Sequence, residues 1–284
     1  MASLYPPLAA LVVLALIELV VRRQHLADYP LFRRDPATGY EPRANCSGLM
    51  RRRFRWAFNT TGLRMDHDRP ADAGSVLLVG DSVVEPGAHV DQADTLGARL
   101  EALCGATVHP AGSGGWALGN ELAFIAARPQ LLEAGTVVWL INSGDLVATN
   151  QWDNGISHPL RAPWLHSIFL ALRFAERLRA RIARRLLGPV REQIDGAWRA
   201  GLTALLPRLA GKRVLWVLYP QREEVTSGTP PLAELHPLLA GSGRIVEVIK
   251  AAGWTVDCYA DGIHPNAAGR ERLARIIADA LANG

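Results

Sequence analysis

Lysine is almost absent from this chain, and a strong excess of either charge is missing as well. Among 31 lysine and arginine residues only Lys212 and Lys250 are lysine, a bias typical of GC-rich genomes. The net charge is +4, with 31 basic against 27 acidic residues, so no nucleic-acid partner is expected. A chain of 284 residues that is 49% hydrophobic is long enough for one α/β domain of about 200 residues with an appendage.

Cysteine is also scarce, which excludes a disulfide-rich fold. The three cysteines, Cys46, Cys104 and Cys258, do not have the spacing of a zinc site, and their odd number leaves at least one unpaired. One disulfide in an oxidising compartment and buried free thiols are both compatible with this pattern. We expect neither a metal ion nor an organic cofactor.

The one long apolar run lies at the N-terminus. Residues Leu8–Val21 are almost wholly apolar and, with Leu4–Pro7, extend over about 18 residues, near the lower limit for crossing a bilayer. Arg22 and Arg23 follow directly, and no clear cleavage site is present, so the pattern predicts an uncleaved transmembrane anchor over residues 1–27. A buried apolar helix of a soluble protein is the alternative.

Beyond a turn-rich lead-in segment over residues 28–74, apolar runs alternate with helical patterns. This alternation predicts a three-layer α/β/α sandwich with a parallel sheet over residues 75–284. Strands are expected near 75–80, 106–109, 136–142, 213–219 and 254–258, and helices over 92–104, 117–132, 191–210, 243–252 and 266–282. Ligands of such sheets bind beyond the carboxyl ends of the strands, so polar residues that follow strands should meet at one edge.

Two short motifs at opposite ends of this domain carry chemistry. The strand Val76–Gly80 leads into Asp81 and Ser82, and Asp261-Gly-Ile-His264-Pro lies near the C-terminus. Serine, histidine and aspartate together form an acyl-transfer triad in which histidine accepts the serine proton and aspartate holds the histidine tautomer. We therefore predict Ser82 as nucleophile, His264 as general base and Asp261 as the orienting carboxylate.

These motifs, in this order, resemble the SGNH (GDSL-type) hydrolase family. The resemblance covers residues 75–284 and implies a flavodoxin-like α/β/α fold that hydrolyses or transfers ester-linked acyl groups. The lead-in, with Asn59, Gly62, Leu63 and Arg64, resembles that of membrane-anchored, exported members that modify surface polysaccharides. This implies a bacterial inner-membrane protein with a periplasmic domain, whereas the arginines after the anchor favour the cytoplasmic side.

The same resemblance implies donors for the oxyanion that forms on the ester carbonyl. They are the Ser82 amide, the Gly115 amide with Gly114 as the alternative, and the Asn142 side chain or, in strict register, the Gly144 backbone. Asp81, Trp116 and Asp145 are the remaining residues that we expect to contact substrate.

The stretch 164–187 has apolar residues at helical spacing with arginines between them. It predicts a basic amphipathic helix, which either binds an anionic membrane or a partner, or packs its apolar stripe on the sheet.

The function expected from the residues and the resemblance is a serine-dependent esterase or O-acyltransferase. Its substrate would be an acylated carbohydrate or surface polysaccharide, with acetyl groups foremost, and a membrane protein could supply the acyl group to a transferase. A lipase or thioesterase is one alternative, and a weakly catalytic glycan-binding subunit of a membrane complex is another.

Overall fold

The computed structural model describes residues 5–187 and 196–283 of the chain. Its strands are β1 (Phe32–Asp35), β2 (Gly39–Pro42), β3 (Cys46–Met50), β4 (Phe54–Phe58), β5 (Val76–Gly80), β6 (Val108–Gly112), β7 (Thr136–Asn142), β8 (Arg213–Tyr219) and β9 (Arg244–Glu247). Its α-helices are α1 (Tyr5–Arg23), α2 (Leu96–Cys104), α3 (Leu118–Ala126), α4 (His166–Leu187), α5 (Ala197–Leu205), α6 (Arg222–Ser227), α7 (His236–Leu239) and α8 (Ala267–Ala282).

The core of the molecule is a parallel sheet of five strands in the order β6-β5-β7-β8-β9. This is a doubly wound order, and the direction in which strands are added to the sheet reverses between β5 and β7. The central strands are buried on both faces, since α2 and α8 pack with one face and α3 and α5 with the other. The predicted α/β class with a parallel sheet between helical layers is therefore confirmed.

Two predicted elements near the C-terminal end of the domain are wrong. The fifth strand is β9, where a helix over 243–252 was expected, and residues 254–258 contain a short 3-10 turn instead of a strand. Trp254 packs against the rings of Tyr219 and Tyr259, so this apolar stretch fills the layer beside the sheet. The predicted helix over 191–210 is shorter, at α5, and residues 191–195 lie outside the described residues.

A helix does form where the membrane anchor was predicted. It spans Tyr5–Arg23, and residues 1–4 lie outside the described part of the chain. Across residues 5–187 and 196–283, no helix has the length and apolar character that a bilayer crossing requires. The transmembrane part of the prediction is thus not confirmed.

The lead-in segment folds as two antiparallel hairpins, β1–β2 and β3–β4, that lie against the domain. The hydroxyl of Tyr40 donates to the carbonyl of Gly114 at 2.8 Å, and Trp116 Nε1 donates to the carbonyl of Tyr40 at 3.0 Å. The buried carboxylate of Glu41 accepts hydrogen bonds from Arg128, which precedes the strand β7. These bonds tie the first hairpin to the loop that follows β6 and to the segment that follows α3.

All three cysteines are free thiols. Cys258 is buried beside α8, and the thiols of Cys46 and Cys104 are partly buried at separate places. The sequence was compatible with one disulfide or with free thiols, and the structure has free thiols.

Arg64 of the lead-in is fully buried and fixes the loop after Ser82. Its guanidinium donates to Glu85 Oε1 at 2.8 Å and to the carbonyl of Val90 at 2.7 Å, and it also bonds the carbonyl of Gly87. The side chain of Glu85 is only 2% exposed, so the two charges compensate each other away from water. The arginine that ends the Asn-x-x-Gly-Leu-Arg pattern of the lead-in therefore has a structural role, which is to anchor the loop after Ser82.

Replacing Arg64 with methionine leaves the carboxylate of Glu85 buried without its partner. We expect Arg64→Met to lower the free energy of unfolding by about 3–5 kcal/mol, as measured by urea denaturation. The double variant Arg64→Met/Glu85→Met should recover much of that loss, because neither charge is then buried alone. Equal stability of the single variant and the unmodified protein would contradict this account.

Candidate active site

Ser82, His264 and Asp261 are brought together although 182 residues separate Ser82 from His264. His264 Nε2 lies 2.9 Å from Ser82 Oγ, and His264 Nδ1 lies 2.8 Å from Asp261 Oδ2. Ser82 follows β5 directly, in a turn closed by donation from the Val83 amide to Asp81 Oδ1 at 2.9 Å. The three side chains form one continuous hydrogen-bonded path at the carboxyl edge of the sheet.

The loop that carries Asp261 and His264 is held at both ends. Tyr259 and Pro265 form a β-bridge, and Asn266 begins α8 by accepting from the Gly269 amide at 2.9 Å. Between them, the hydroxyl of Tyr219 donates to the carbonyl of Ile263 at 2.6 Å. These contacts hold the backbone of the loop on both sides of His264 and thereby position its imidazole ring.

Asp261 is ionised in this arrangement. Partial burial opposes its charge, but donation from the amides of Ile263 and His264 to Oδ1 outweighs burial and lowers its pKa. An ionised Asp261 accepts the Nδ1 proton of His264, which leaves Nε2 as the acceptor for the Ser82 hydroxyl. The geometry thus supplies a general base within hydrogen-bond distance of a nucleophile.

Asn142 is fully buried beneath this site, and its side-chain amide is already used. Its Nδ2 donates to Asp145 Oδ2 at 2.8 Å and to Asp81 Oδ2 at 3.2 Å, which takes both N–H bonds. Its Oδ1 accepts from the Gly144 amide at 2.8 Å, so neither alternative for the third oxyanion donor has an unoccupied N–H.

Gln221, which the sequence did not single out, lies beside this point. A side chain at Gly144 would place its Cβ 3.3 Å from Gln221 Nε2. Gln221 follows β8, the neighbour of β7, and the next amide, of Arg222, donates to the carbonyl of Gly262 in the histidine loop. Within the described residues no acceptor is bonded to Gln221 Nε2. Its position after a strand of the sheet was the only signal in the sequence.

Gly114, rather than Gly115, lines the cavity next to Ser82. A Cβ on Gly114 would meet nothing within 4 Å, so its backbone is open to a ligand. Gly115 has a φ of +79°, and its Cβ would lie 2.9 Å from the hydroxyl of Tyr40. The loop therefore needs glycine at Gly115 for its turn and presents Gly114 to the site.

The three residues expected to contact substrate are parts of the core. Asp81, Trp116 and Asp145 are 5%, 3% and 2% exposed, which leaves almost no surface for a ligand. Trp116 packs against Phe124 in the layer of α3. Asp81 and Asp145 lie under the nucleophile with a third buried carboxyl group, Glu121, which accepts from Trp139 Nε1 at 2.5 Å.

Burial raises the pKa of each of these three carboxyl groups. Burial is the main cause, and for Glu121 and Asp145 the charge of Asp81 adds to it. Asp81, Glu121 and Asp145 therefore carry only a small number of negative charges between them, below the carboxyl edge of the sheet.

A cavity of about 240 Å³ adjoins Ser82. The lead-in contributes Tyr29 and Phe32 to its wall, and α4 contributes Arg173 and Arg177. The helix predicted over 164–187 is present as α4, and part of it borders the site.

No protein-family model and no curated protein sequence matches the chain. Solved structures with a similar layout include a lipolytic G-D-S-L family protein from Veillonella parvula, at 12% identity and a TM-score of 0.45, covering 74% of this chain and 99% of that one. A lipase/acylhydrolase from Enterococcus faecalis has 15% identity and a TM-score of 0.45, covering 73% and 94%. A carbohydrate esterase family 2 enzyme from Corynascus thermopiles has 13% identity and a TM-score of 0.42, covering 79% and 70%. Likenesses this distant assign no activity, which has to come from the site itself.

The raised pKa of Glu121 should appear in the pH dependence of stability. The folded state holds this proton more tightly than the unfolded chain, so the free energy of unfolding should fall as pH rises from about 4.3 towards the raised pKa. Glu121→Gln keeps an oxygen for Trp139 Nε1 and should make this decline shallower. Urea unfolding between pH 5 and 8 measures it, with exposed Glu133→Gln as the control. An unchanged slope in Glu121→Gln would contradict the assignment.

Proposed function

We propose that this protein is a serine-dependent enzyme that hydrolyses or transfers ester-linked acyl groups of a carbohydrate or surface polysaccharide. The hydrogen-bonded path from Ser82 through His264 to Asp261 carries this proposal. The site is open, with the side chains of His264 and Asp261 exposed by 41% and 56%, which suits an ester on a polymer. The adjoining cavity of about 240 Å³ is smaller than the long apolar groove that a lipase or thioesterase needs, which favours an ester of a short acyl group such as acetyl.

The reaction proceeds through an acyl-enzyme. Ser82 Oγ attacks the carbonyl carbon while His264 Nε2 takes the hydroxyl proton, and Asp261 stabilises the imidazolium. His264 then gives this proton to the departing alcohol oxygen. Water or a sugar hydroxyl next attacks the acyl group and loses its proton to His264 Nε2, which passes it to the departing Ser82 Oγ and so restores the free serine. Water gives hydrolysis, and the sugar hydroxyl gives acyl transfer.

Three donors stabilise the oxyanion in this mechanism. The amides of Ser82 and Gly114 supply two, and the side chain of Gln221 supplies the third. Gln221 is favoured because its Nε2 has no acceptor among the described residues and stands where a side chain at Gly144 would reach. Asn142 instead holds Asp81 and Asp145 together below the nucleophile.

Ser82→Ala tests the function directly. Loss of the nucleophile should reduce kcat for p-nitrophenyl acetate hydrolysis by a factor of about 10⁴ or more, with the fold retained. Ser227→Ala, on the exposed helix α6, is the matched control and should hydrolyse the ester at the unmodified rate. Equal turnover by Ser82→Ala and the unmodified protein would exclude a serine mechanism and leave glycan binding without catalysis as the function.

Gln221→Ala tests the third donor. Removing one oxyanion donor should lower kcat about 10²-fold with little change in KM, because the bond forms only as charge develops on the carbonyl oxygen. Unchanged kcat in Gln221→Ala would return the role to Asn142 or to backbone amides.

The same proposal includes association with a membrane surface. Of 19 large apolar residues that are exposed in the described parts of the chain, nine lie on α1 and eight between Trp164 and Leu186. The two helices are adjacent, because the carboxylate of Glu18 accepts from the amides of His166 and Ser167 at the start of α4. Together they expose many apolar side chains, which is unusual for a surface in contact with water.

Vesicle sedimentation tests this association. The double variant Val12→Glu/Leu16→Glu places two charges one turn apart on the exposed face of α1 and should abolish cosedimentation with phospholipid vesicles. Leu238→Glu alters an exposed apolar residue elsewhere and should cosediment like the unmodified chain. Retained binding of the double variant would show that α1 does not contact lipid.

A further inference from the structure

The cavity beside Ser82 has a cationic wall that the acyl-transfer chemistry does not use. Arg173 and Arg177, one turn apart on α4, line it together with His89 and His158. These residues come from three separate segments of the chain, and the two permanent positive charges among them both lie on α4.

The carboxylates nearest to this wall are already engaged. Glu85, which also lines the cavity, is bonded to the buried guanidinium of Arg64. Glu176, the one acidic residue of α4, accepts from Asn154 Nδ2 at 3.0 Å and from Ser157 Oγ at 3.3 Å. The charge of Glu85 is thus paired with Arg64, and that of Glu176 acts on Arg173, so no carboxylate is bonded to Arg177 among the described residues.

The titration of His89 reflects the same surplus of positive charge. Burial lowers its pKa, and the neighbouring cations Arg51, Arg177 and Arg173 lower it further. His89 therefore stays neutral beside two permanent charges, and the surroundings favour a negative group.

The two arginines differ in what holds them. The guanidinium of Arg173 stacks over the ring of Tyr29 at 3.9 Å and donates to the carbonyl of Ile156. The exposed side chain of Arg177 makes no hydrogen bond or ion pair with any residue in the described ranges. Its five N–H donors are available in a planar fork that matches a carboxylate or a phosphate.

We propose that the part of the substrate that occupies this cavity carries a carboxylate or phosphate, which Arg177 binds and Arg173 supports electrostatically. This inference rests on the proposed ester chemistry of Ser82 and narrows its substrate class to esters of an anionic carbohydrate. Arg177 is then a residue that determines specificity, since it touches a part of the substrate remote from the bond that breaks.

A pair of small substrates that differ in one charge tests the proposal. The probes are the methyl glycosides of O-acetylated glucuronic acid and of O-acetylated glucose, and acetate release is followed with the full chain in an uncharged detergent. The unmodified protein should show a kcat/KM about tenfold or more higher for the glucuronate, the value expected of one hydrogen bond to a charged group. This preference should shrink as salt is added.

Variants of α4 separate the specific arginine from general charge. Arg177→Gln should lower kcat/KM for the glucuronate by about tenfold or more and bring the two values to within about twofold of each other, because the ion contact is lost. Arg181→Gln, one turn further along the helix and not part of the cavity wall, removes the same charge and should retain the preference.

Two results would overturn the proposal: equal kcat/KM for both glycosides in the unmodified protein, or an undiminished preference in Arg177→Gln. Turnover of the neutral glycoside that depends on Ser82 would still establish the ester chemistry in either case. Absence of that turnover would instead reject the proposed function together with this inference.

Discussion

The site depends on the hydrogen bonds that join the ends of β5 and β7 beneath the nucleophile. Asn142 donates to Asp81 and to Asp145, so the residue before Ser82 is fixed to the neighbouring strand. The bonds are fully buried, where an unmade one would cost most. These bonds hold the backbone that carries Ser82 in the position from which Ser82 Oγ lies 2.9 Å from His264 Nε2. The same arrangement buries the carboxyl groups of Asp81, Glu121 and Asp145, and burial opposes the ionisation of each.

The other partner of the site, the histidine loop, is fixed by different means. Tyr219 and Tyr259 pack beneath it as rings, and their hydroxyl groups bond backbone carbonyls of the loop and of Pro220. One half of the site is thus built on charge and amide groups, and the other on aromatic packing. The hydrogen bond between His264 and Ser82 joins these two halves of the site.

The sequence predicts most of the sheet and the three residues of the triad. The elements and residues that it does not predict were missed for physical reasons. Continuous apolar runs identified β5, β7 and β8, because strands covered on both faces contain little else. The edge strand β9 is only four residues long and half-buried, so its pattern resembled a helix. The motifs identified Ser82, Asp261 and His264, yet Gln221 carries no motif, and its relation to Gly144 exists only once β7 and β8 are paired. Trp116 and Asp145 looked accessible because burial of a loop residue is set by distant packing.

The junction between α1 and the domain is packed and hydrogen-bonded. Val21 and Ala27 pack with Phe169 in one buried cluster, and Glu18 is bonded to the first turn of α4. The N-terminal helix is therefore joined to the catalytic domain without a flexible tether. If that helix rests in a lipid surface, Ser82 works at one fixed height above it, and only esters that pass through that layer come within range. The distance of an ester from the membrane surface would then help to decide whether it is a substrate, independently of the shape of the cavity beside Ser82.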